Sequence, residues 1–259
     1  MEFMRVGIVT GASRGIGAVF ADKLGQLRPD LDEIWCVSRS YNDDSSGEDA
    51  EFSQRQGPRL RYLCLDQSDD DFGDKLRNHV DRHHATIVYL ILNAAYANYG
   101  DVKTQDFSQA DQMIQTNIRG TVAAVYSLND LFEKNGHIIF VSSISAVAPT
   151  PGLAVYTASK AFIRHWGICL REELKPNGVT VTICYPGKVK TKALRDVVKQ
   201  AKSVKLRLMP EQNLNYLVER TLRGAERGRA EVAPGLYGLV MALSKTVPKR
   251  VVARFARLV

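Results

Sequence analysis

The chain has 259 residues, of which 45% are hydrophobic and 24% charged, with a formal net charge of +7. That length holds one large α/β domain or two small ones, and the apolar content is ample for a buried core. No apolar run is long enough to span a bilayer, which argues against a transmembrane protein, and the positive charge favours anionic partners. From Met1 to Arg5 the chain passes almost directly into a strand, leaving no room for a secretory signal. Cys36, Cys64, Cys169 and Cys184 are far apart in apolar segments, without the close spacing of a zinc or redox site. They are expected to be buried reduced thiols, with no metal site, in a cytoplasmic protein.

Val6–Thr10 predicts a first strand, followed by Gly11-Ala12-Ser13-Arg14-Gly15-Ile16-Gly17 and a helical pattern to Leu27. Strand, glycine-rich turn and helix in that order predict a phosphate-binding βα unit, in which the backbone approaches a pyrophosphate at the helix N-terminus. A second strand, Glu33–Val37, ends at Ser38-Arg39-Ser40. An acidic residue near this point would bind a ribose 2′-hydroxyl, and none is present. Arg39 stands beside that position and Arg14 in the glycine loop, a pair suited to clamping a 2′-phosphate. NADP(H) is therefore expected ahead of NAD.

Residues 41–58 are polar and acidic and predict a loop. Leu60–Leu65 predicts a third strand, ending in Asp66-Gln67-Ser68 at the edge of an adenine site. Aspartates 69–71 and 74 suit the start of a helix, on which His79, His83 and His84 are expected to be solvated. A fourth strand, Thr86–Leu92, closes with Asn93-Ala94-Ala95. A long helix over Gln109–Phe132 would carry Asn117, an unfavourable residue inside a helix. His137–Val141 predicts strand five, with Ser142-Ser143 at its end, and Val179–Cys184 strand six, closed by Tyr185-Pro186-Gly187.

Between these last two strands lies Tyr156-Thr157-Ala158-Ser159-Lys160, at the head of a long helix. A phenol and an ammonium four residues apart share one helix face. Their proximity is expected to lower the pKa of Tyr156 and make it a better proton donor. Strands alternating with helices from end to end, with no repeats or dividing linker, predict one α/β domain over residues 1–259. Its sheet would be parallel and doubly wound, Rossmann-type, with helices on both faces.

The chain resembles the short-chain dehydrogenase/reductases, of the ordinary cytosolic subgroup. The matching segments are Thr10–Gly17, Asn93-Ala94-Ala95, Asn117, Ser143, Tyr156-x-x-x-Lys160 and Pro186-Gly187-Lys188-Val189-Lys190-Thr191, in the family's order. The resemblance implies that Tyr156 donates a proton to a substrate carbonyl while a hydride arrives from the nicotinamide. Lys160 would lower the Tyr156 pKa and hold the nicotinamide ribose, and Ser143, rather than Ser142, would bond the carbonyl oxygen. Asn117 would kink its helix and hold a proton-relaying water. Pro186, Gly187, Val189 and Thr191 would pin the carboxamide. Where the family has Asn-Ala-Gly after strand four, this chain has Ala95, whose methyl could crowd the cofactor.

The implied activity is interconversion of a ketone and a secondary alcohol with NADP(H), by a carbonyl reductase or alcohol dehydrogenase. A bulky hydrophobic, steroid- or lipid-like carbonyl compound comes first as substrate, 3-oxoacyl thioesters second, and an idle dinucleotide-binding protein is the rival class. Tyr96, Tyr99, Val147 and Leu153 supply an apolar wall. The substrate-loop segment at about 188–225 begins with a basic lid, Lys188–Met209. Glu211–Gly224 predicts a helix and Arg229–Val232 a last edge strand. From Gly235 to Val259 there is no acidic residue. The final helix would place Val251, Val252, Phe255 and Leu258 opposite Arg250, Arg254 and Arg257, for packing, assembly as a homo-oligomer (dimer or tetramer) or peripheral membrane contact. All the chemistry is expected before about residue 210, and no nucleic-acid partner is expected.

Overall fold

The structure, a computed structural model, describes residues 3–40, 57–201, 209–244 and 246–256. Its centre is a seven-stranded sheet in which every pairing is parallel: β1 (Met4–Thr10), β2 (Glu33–Ser38), β3 (Arg59–Cys64), β4 (Ala85–Leu92), β5 (Phe132–Val141), β6 (Thr180–Cys184) and β7 (Glu231–Val232). The spatial order is β3-β2-β1-β4-β5-β6-β7. Parallel strands covered on both faces need near-continuous apolar runs, and Ile87–Leu92 is buried throughout. On one face, α2 (Phe72–Arg82), α4 (Gly120–Leu128) and α5 (Ala154–Leu174) contribute Leu76, Leu128 and Ile163 to the core. On the other, α1 (Gly15–Leu27) and α7 (Leu214–Glu226) contribute Phe20, Leu24, Val218 and Leu222. The expected doubly wound α/β fold is present. The strand order reverses between β1 and β4, which opens a crevice at their carboxyl ends.

Three expectations are corrected. The helix expected over Gln109–Phe132 is instead α3 (Phe107–Ile114), a π-helical turn (Gln115–Arg119) and α4, and Phe132 already belongs to β5. There the chain bulges through Asn135, at φ 69°, and Gly136 before pairing resumes at His137. Of the cysteines, Cys36 and Cys184 are buried, but Cys64 and Cys169 are exposed. Cys64 lies on an edge strand and Cys169 on the outer side of α5. His79 and His83 are half-buried, their rings 4.7 and 5.6 Å from Trp35, rather than solvated. The loop expected over residues 41–58 falls largely on residues 41–56, outside the described residues.

The edge that presents Ser38, Arg39 and Asp66 is held by a buried charge. Glu33, at the start of β2, is 0% exposed. It accepts from Trp35 Nε1 at 2.8 Å and from Arg61 Nε and Nη2 at 2.7 and 3.0 Å, with Arg59 at 3.2 Å. Burial alone would raise its pKa, but the Arg61 and Trp35 hydrogen bonds and the two guanidiniums hold it below the ordinary value of 4.5. A lowered carboxylate pKa adds stability above the unfolded value and loses it as pH falls through the folded one. Breaking a buried pair from one side typically costs about 3–5 kcal/mol. Arg61→Met should therefore lower the unfolding free energy by roughly 3 kcal/mol. It should also move the onset of acid unfolding to higher pH, as measured by urea titrations across pH 3–7.

Candidate active site

Gly11 ends β1 with φ 66°, a conformation that favours glycine, and its amide donates to Val37 O at 2.8 Å. At Gly17 a Cβ would lie 2.2 Å from the Gly11 carbonyl oxygen, so the first turn of α1 packs directly on the loop. Asn93, after β4, closes the same corner: its Nδ2 donates to Thr10 O at 2.9 Å and Gly11 O at 3.2 Å. Thr10 Oγ1 accepts from the amides of Asn93 and Ala94 at 3.1 and 3.0 Å. Arg14 caps α1 in extended backbone, with no side-chain cap and no acidic residue in the first turn. The free amides of that turn are thus left for an anion.

Around this loop, Ser13 and Ser38 hydroxyls bond each other at 2.9 Å. Arg14 and Arg39 are exposed, and Arg39 Nε lies 3.9 Å from Asp66 Oδ2 with its side chain 57% exposed. Thr191 reaches back to within 3.5 Å of where a Cβ on Gly15 would stand, and Val189 and Ile16 pack in one small cluster with Leu217. Ala95 is exposed and has no left-handed backbone, so its methyl fits the chain itself. A glycine cradle, an uncapped helix N-terminus and two exposed guanidiniums suit the phosphates of a dinucleotide.

Gln67 takes a different place from the expected adenine edge. It is 4% exposed, and its Nε2 donates to Thr116 O at 2.8 Å and Thr121 Oγ1 at 3.2 Å. Thr121 Oγ1 in turn donates to Asn117 O at 3.0 Å. These side chains satisfy carbonyls of the π-helical turn, which supports the expectation of an irregular helix at Asn117. Asn117, 2% exposed, accepts from the Tyr96 amide at 2.8 Å and donates to Tyr96 O at 2.9 Å and Ser159 Oγ at 3.0 Å.

The turn of α5 that follows brings the central groups together. Tyr156 is half-buried, and the nearby Ser143 hydroxyl pulls its pKa down against the effect of burial. Ser143 also accepts from the Ser145 amide at 3.2 Å, whereas Ser142 is buried and donates to Lys160 O at 2.9 Å. Lys160 is 4% exposed, its ammonium donating to Val141 O at 2.9 Å and lying 5.8 Å from the Tyr156 ring centroid. Burial pushes the Lys160 pKa down to about 8, with only a small upward pull from Cys184. The expected lowering of the Tyr156 pKa is not met. Burial raises it, and Ser143 rather than Lys160 pulls the other way. Beneath Lys160, Thr221 donates to the buried Cys184 thiol at 3.1 Å, a support the sequence reading missed.

Residues beyond 210 also brace the site, against expectation. Gln212 Oε1 accepts from the Gly187 amide at 2.8 Å, and Tyr237 packs so closely that a Cβ on Gly187 would meet its ring at 2.2 Å. The Pro186 carbonyl accepts from the Ile144 amide at 3.0 Å, and Lys249 Nζ donates to Val147 O at 3.0 Å. Of the apolar wall, Val147 and Leu153 are buried and Tyr96 and Tyr99 half-buried; Tyr99 rests on Gly152 and its amide donates to Gln200 on α6 (Lys192–Ala201) at 3.0 Å. Lys188 and Lys190 lie 3.9 and 2.8 Å from Glu211, so part of the basic lid is internally paired. Lys202, Lys205 and Arg207, and the side chain of Lys192, lie outside the described residues. A cavity of about 370 Å³ between α7, β7 and the segment after it is lined by Arg220, Arg229 and Met241 and by none of these central groups.

The model of the short chain dehydrogenase family matches residues 5–202. An uncharacterized oxidoreductase of Mycobacterium tuberculosis is 27% identical over 253 residues, covering 96% of each chain. A short chain dehydrogenase from Burkholderia cenocepacia in complex with NADP aligns with a TM-score of 0.73 at 23% identity, over 98% of each chain. A bulky-bulky ketone specific alcohol dehydrogenase from Comamonas testosteroni gives 0.69 at 20% identity over 96% of each. A 3-ketoacyl-(acyl-carrier-protein) reductase from Brucella melitensis complexed with NADH gives 0.70 at 19% identity, over 89% of this chain and 97% of that one. At these identities the solved structures speak for the fold, while the family model spans most of the chain and the site's motifs. The chain belongs to the short-chain dehydrogenase family of oxidoreductases.

Proposed function

We propose that the protein is an NADP(H)-dependent carbonyl reductase, acting in reverse as an alcohol dehydrogenase on a bulky, hydrophobic, lipid-like ketone. The observation that carries this reading is the buried Lys160 ammonium, held on the Val141 carbonyl at the end of β5 and 5.8 Å from the Tyr156 ring, with Ser143 just after the same strand. An idle binding protein has no use for a buried ammonium beside a phenol. A bound dinucleotide would supply the hydride. Gly11, Ser13, Arg14, Gly15, Ile16 and Gly17 would hold its pyrophosphate, with Asn93, Ala94 and Ala95 beside the ring system. Pro186, Gly187, Val189 and Thr191 would border the carboxamide.

A substrate carbonyl oxygen would rest between the Ser143 and Tyr156 hydroxyls. Tyr156, which burial holds protonated, donates its proton as charge develops on that oxygen, and Ser143 donates a second hydrogen bond. Lys160 supplies the positive charge that stabilises the phenolate left behind. Asn117 holds Tyr96 and Ser159 in register and keeps its turn open for a water that passes protons towards Lys160. Val147 and Leu153 favour an apolar substrate, and the Comamonas neighbour is named for bulky-bulky ketones. The 3-oxoacyl thioester alternative needs an anion-binding lid, and the pairing of Lys188 and Lys190 with Glu211 weakens it. Cytoplasmic location and a homo-oligomeric state belong to the same reading, and the exposed free thiols of Cys64 and Cys169 suit a reducing compartment.

Three outcomes are expected. Across a panel of steroid-like ketones, 3-oxoacyl thioesters and small sugars, NADPH oxidation should be fastest with the first. Tyr156→Phe should reduce kcat on every active substrate by about 10²–10⁴-fold. Equal turnover by parent and variant would remove the proton-donor assignment. Arg39→Ala should weaken NADPH binding about ten- to a hundred-fold, the worth of a charge-assisted bond, and leave NADH binding nearly unchanged. Equal losses for both in fluorescence titrations would make Arg39 a structural residue.

A further inference from the structure

Residues after β7 form α8 (Leu236–Leu243) and α9 (Lys249–Phe255). α8 is anchored on one side only: Tyr237 and Met241 are buried, at 4% and 8% exposure. On its other side Leu236, Leu239, Val240 and Leu243 are 55%, 63%, 39% and 64% exposed. Their spacing, i, i+3, i+4 and i+7, is that of a helix stripe made for burial, here turned to solvent. Val247, after α8, and Val251, on α9, are also exposed, at 38% and 42%. Isolated exposed apolar residues need no explanation, but a contiguous stripe of this kind marks a contact surface.

The charges nearby identify what it contacts. Between Gly235 and Val259 there are five basic residues and no acid. Of these, Lys249, Arg250 and Arg254 are exposed on α9. An isologous dimer through this face would bring two stretches of like charge together, which opposes assembly. A surface that offers an apolar layer beneath negative charge satisfies both halves of the patch at once. We propose that the α8–α9 face docks on an anionic lipid bilayer, with the leucine stripe entering the headgroup–acyl boundary and the arginines resting on acidic headgroups. α8 places Tyr237 against Gly187, and α9 places Lys249 on the Val147 carbonyl, so the docked face lies beside the cleft. The proposal requires nothing of the substrate's identity. It extends the peripheral membrane contact, one of three roles open to the final helix in the sequence, to include α8.

Co-sedimentation of the full chain with vesicles of phosphatidylcholine and phosphatidylglycerol tests it, with pure phosphatidylcholine vesicles and sedimentation velocity alongside. The parent should bind the anionic vesicles and be released by added salt. Leu239→Glu with Leu243→Glu should abolish binding while leaving NADPH affinity and the melting temperature unchanged. Should that variant not fold, Arg250→Gln with Arg254→Gln, both at exposed positions, should weaken partitioning by about 30-fold, at roughly fivefold for each arginine. Absence of binding to anionic vesicles overturns the proposal. So does salt-insensitive binding that is equal on neutral vesicles. A parent oligomer that the leucine variant dissociates also overturns it, by showing the face covered by a second copy.

Discussion

The site depends on one buried charge. The Lys160 ammonium is nearly sealed from solvent, and among the described residues no carboxylate pairs with it; its direct partner is the Val141 carbonyl. Leaving an ammonium in such a place is expensive. The fold holds it there because α5 is fixed to the sheet by Ile163 and Leu170 and to the end of β5 by the Ser142–Lys160 hydrogen bond. Tyr156 sits one turn earlier on the same helix, so whatever places Lys160 also places the phenol. Burial depresses the ammonium pKa to about 8 and raises that of the phenol, which leaves both groups protonated at neutral pH.

The other elements converge on that arrangement. The π-helical turn at Gln115–Arg119 turns Asn117 towards α5, where it meets Ser159, and Gln67 and Thr121 take up carbonyls that the irregular turn leaves over. On the opposite side, Gln212 and Tyr237 fix the Pro186-Gly187 turn from segments far along the chain. Two charge networks hold the outer parts: Glu33 with Arg61 and Arg59 on β2–β3, and Glu231 with Arg164 and Tyr185 between β7 and α5. The crevice at the β1/β4 switch point is therefore braced by side chains from most of the chain.

Much of this was legible in the sequence. Buried parallel strands announce themselves as apolar runs, so β1, β2, β4 and β6 fall within two residues of their expected places. The glycine loop and the Tyr156–Lys160 pair depend on local spacing, which sequence displays directly. What depends on burial was not legible. The direction of the Tyr156 shift follows from desolvation by distant segments, and the inward turn of Gln67 from a π-helical turn that no propensity signals. Phe132 continues an apolar pattern and so extends the expected helix, while the bulge at Asn135–Gly136 that lets it join β5 has no periodic signature. The stripe on α8 has the spacing of a buried face, and only the structure reveals that nothing among the described residues covers it.

The pH dependence of stability tests the central claim most directly. A lysine whose folded pKa is depressed makes the folded state bind fewer protons than the unfolded one between the two values. The penalty for burying the charge is then complete below about pH 8 and is relieved as pH rises towards 10.5. Over that window the stability of the parent relative to Lys160→Met should rise by roughly 3 kcal/mol, the free-energy equivalent of the shift. Taking the difference cancels the titration of the groups that do not interact with Lys160. Urea unfolding of both proteins between pH 6 and pH 10.5 measures it. Parallel curves across the window would contradict a buried, desolvated ammonium at the centre of the site.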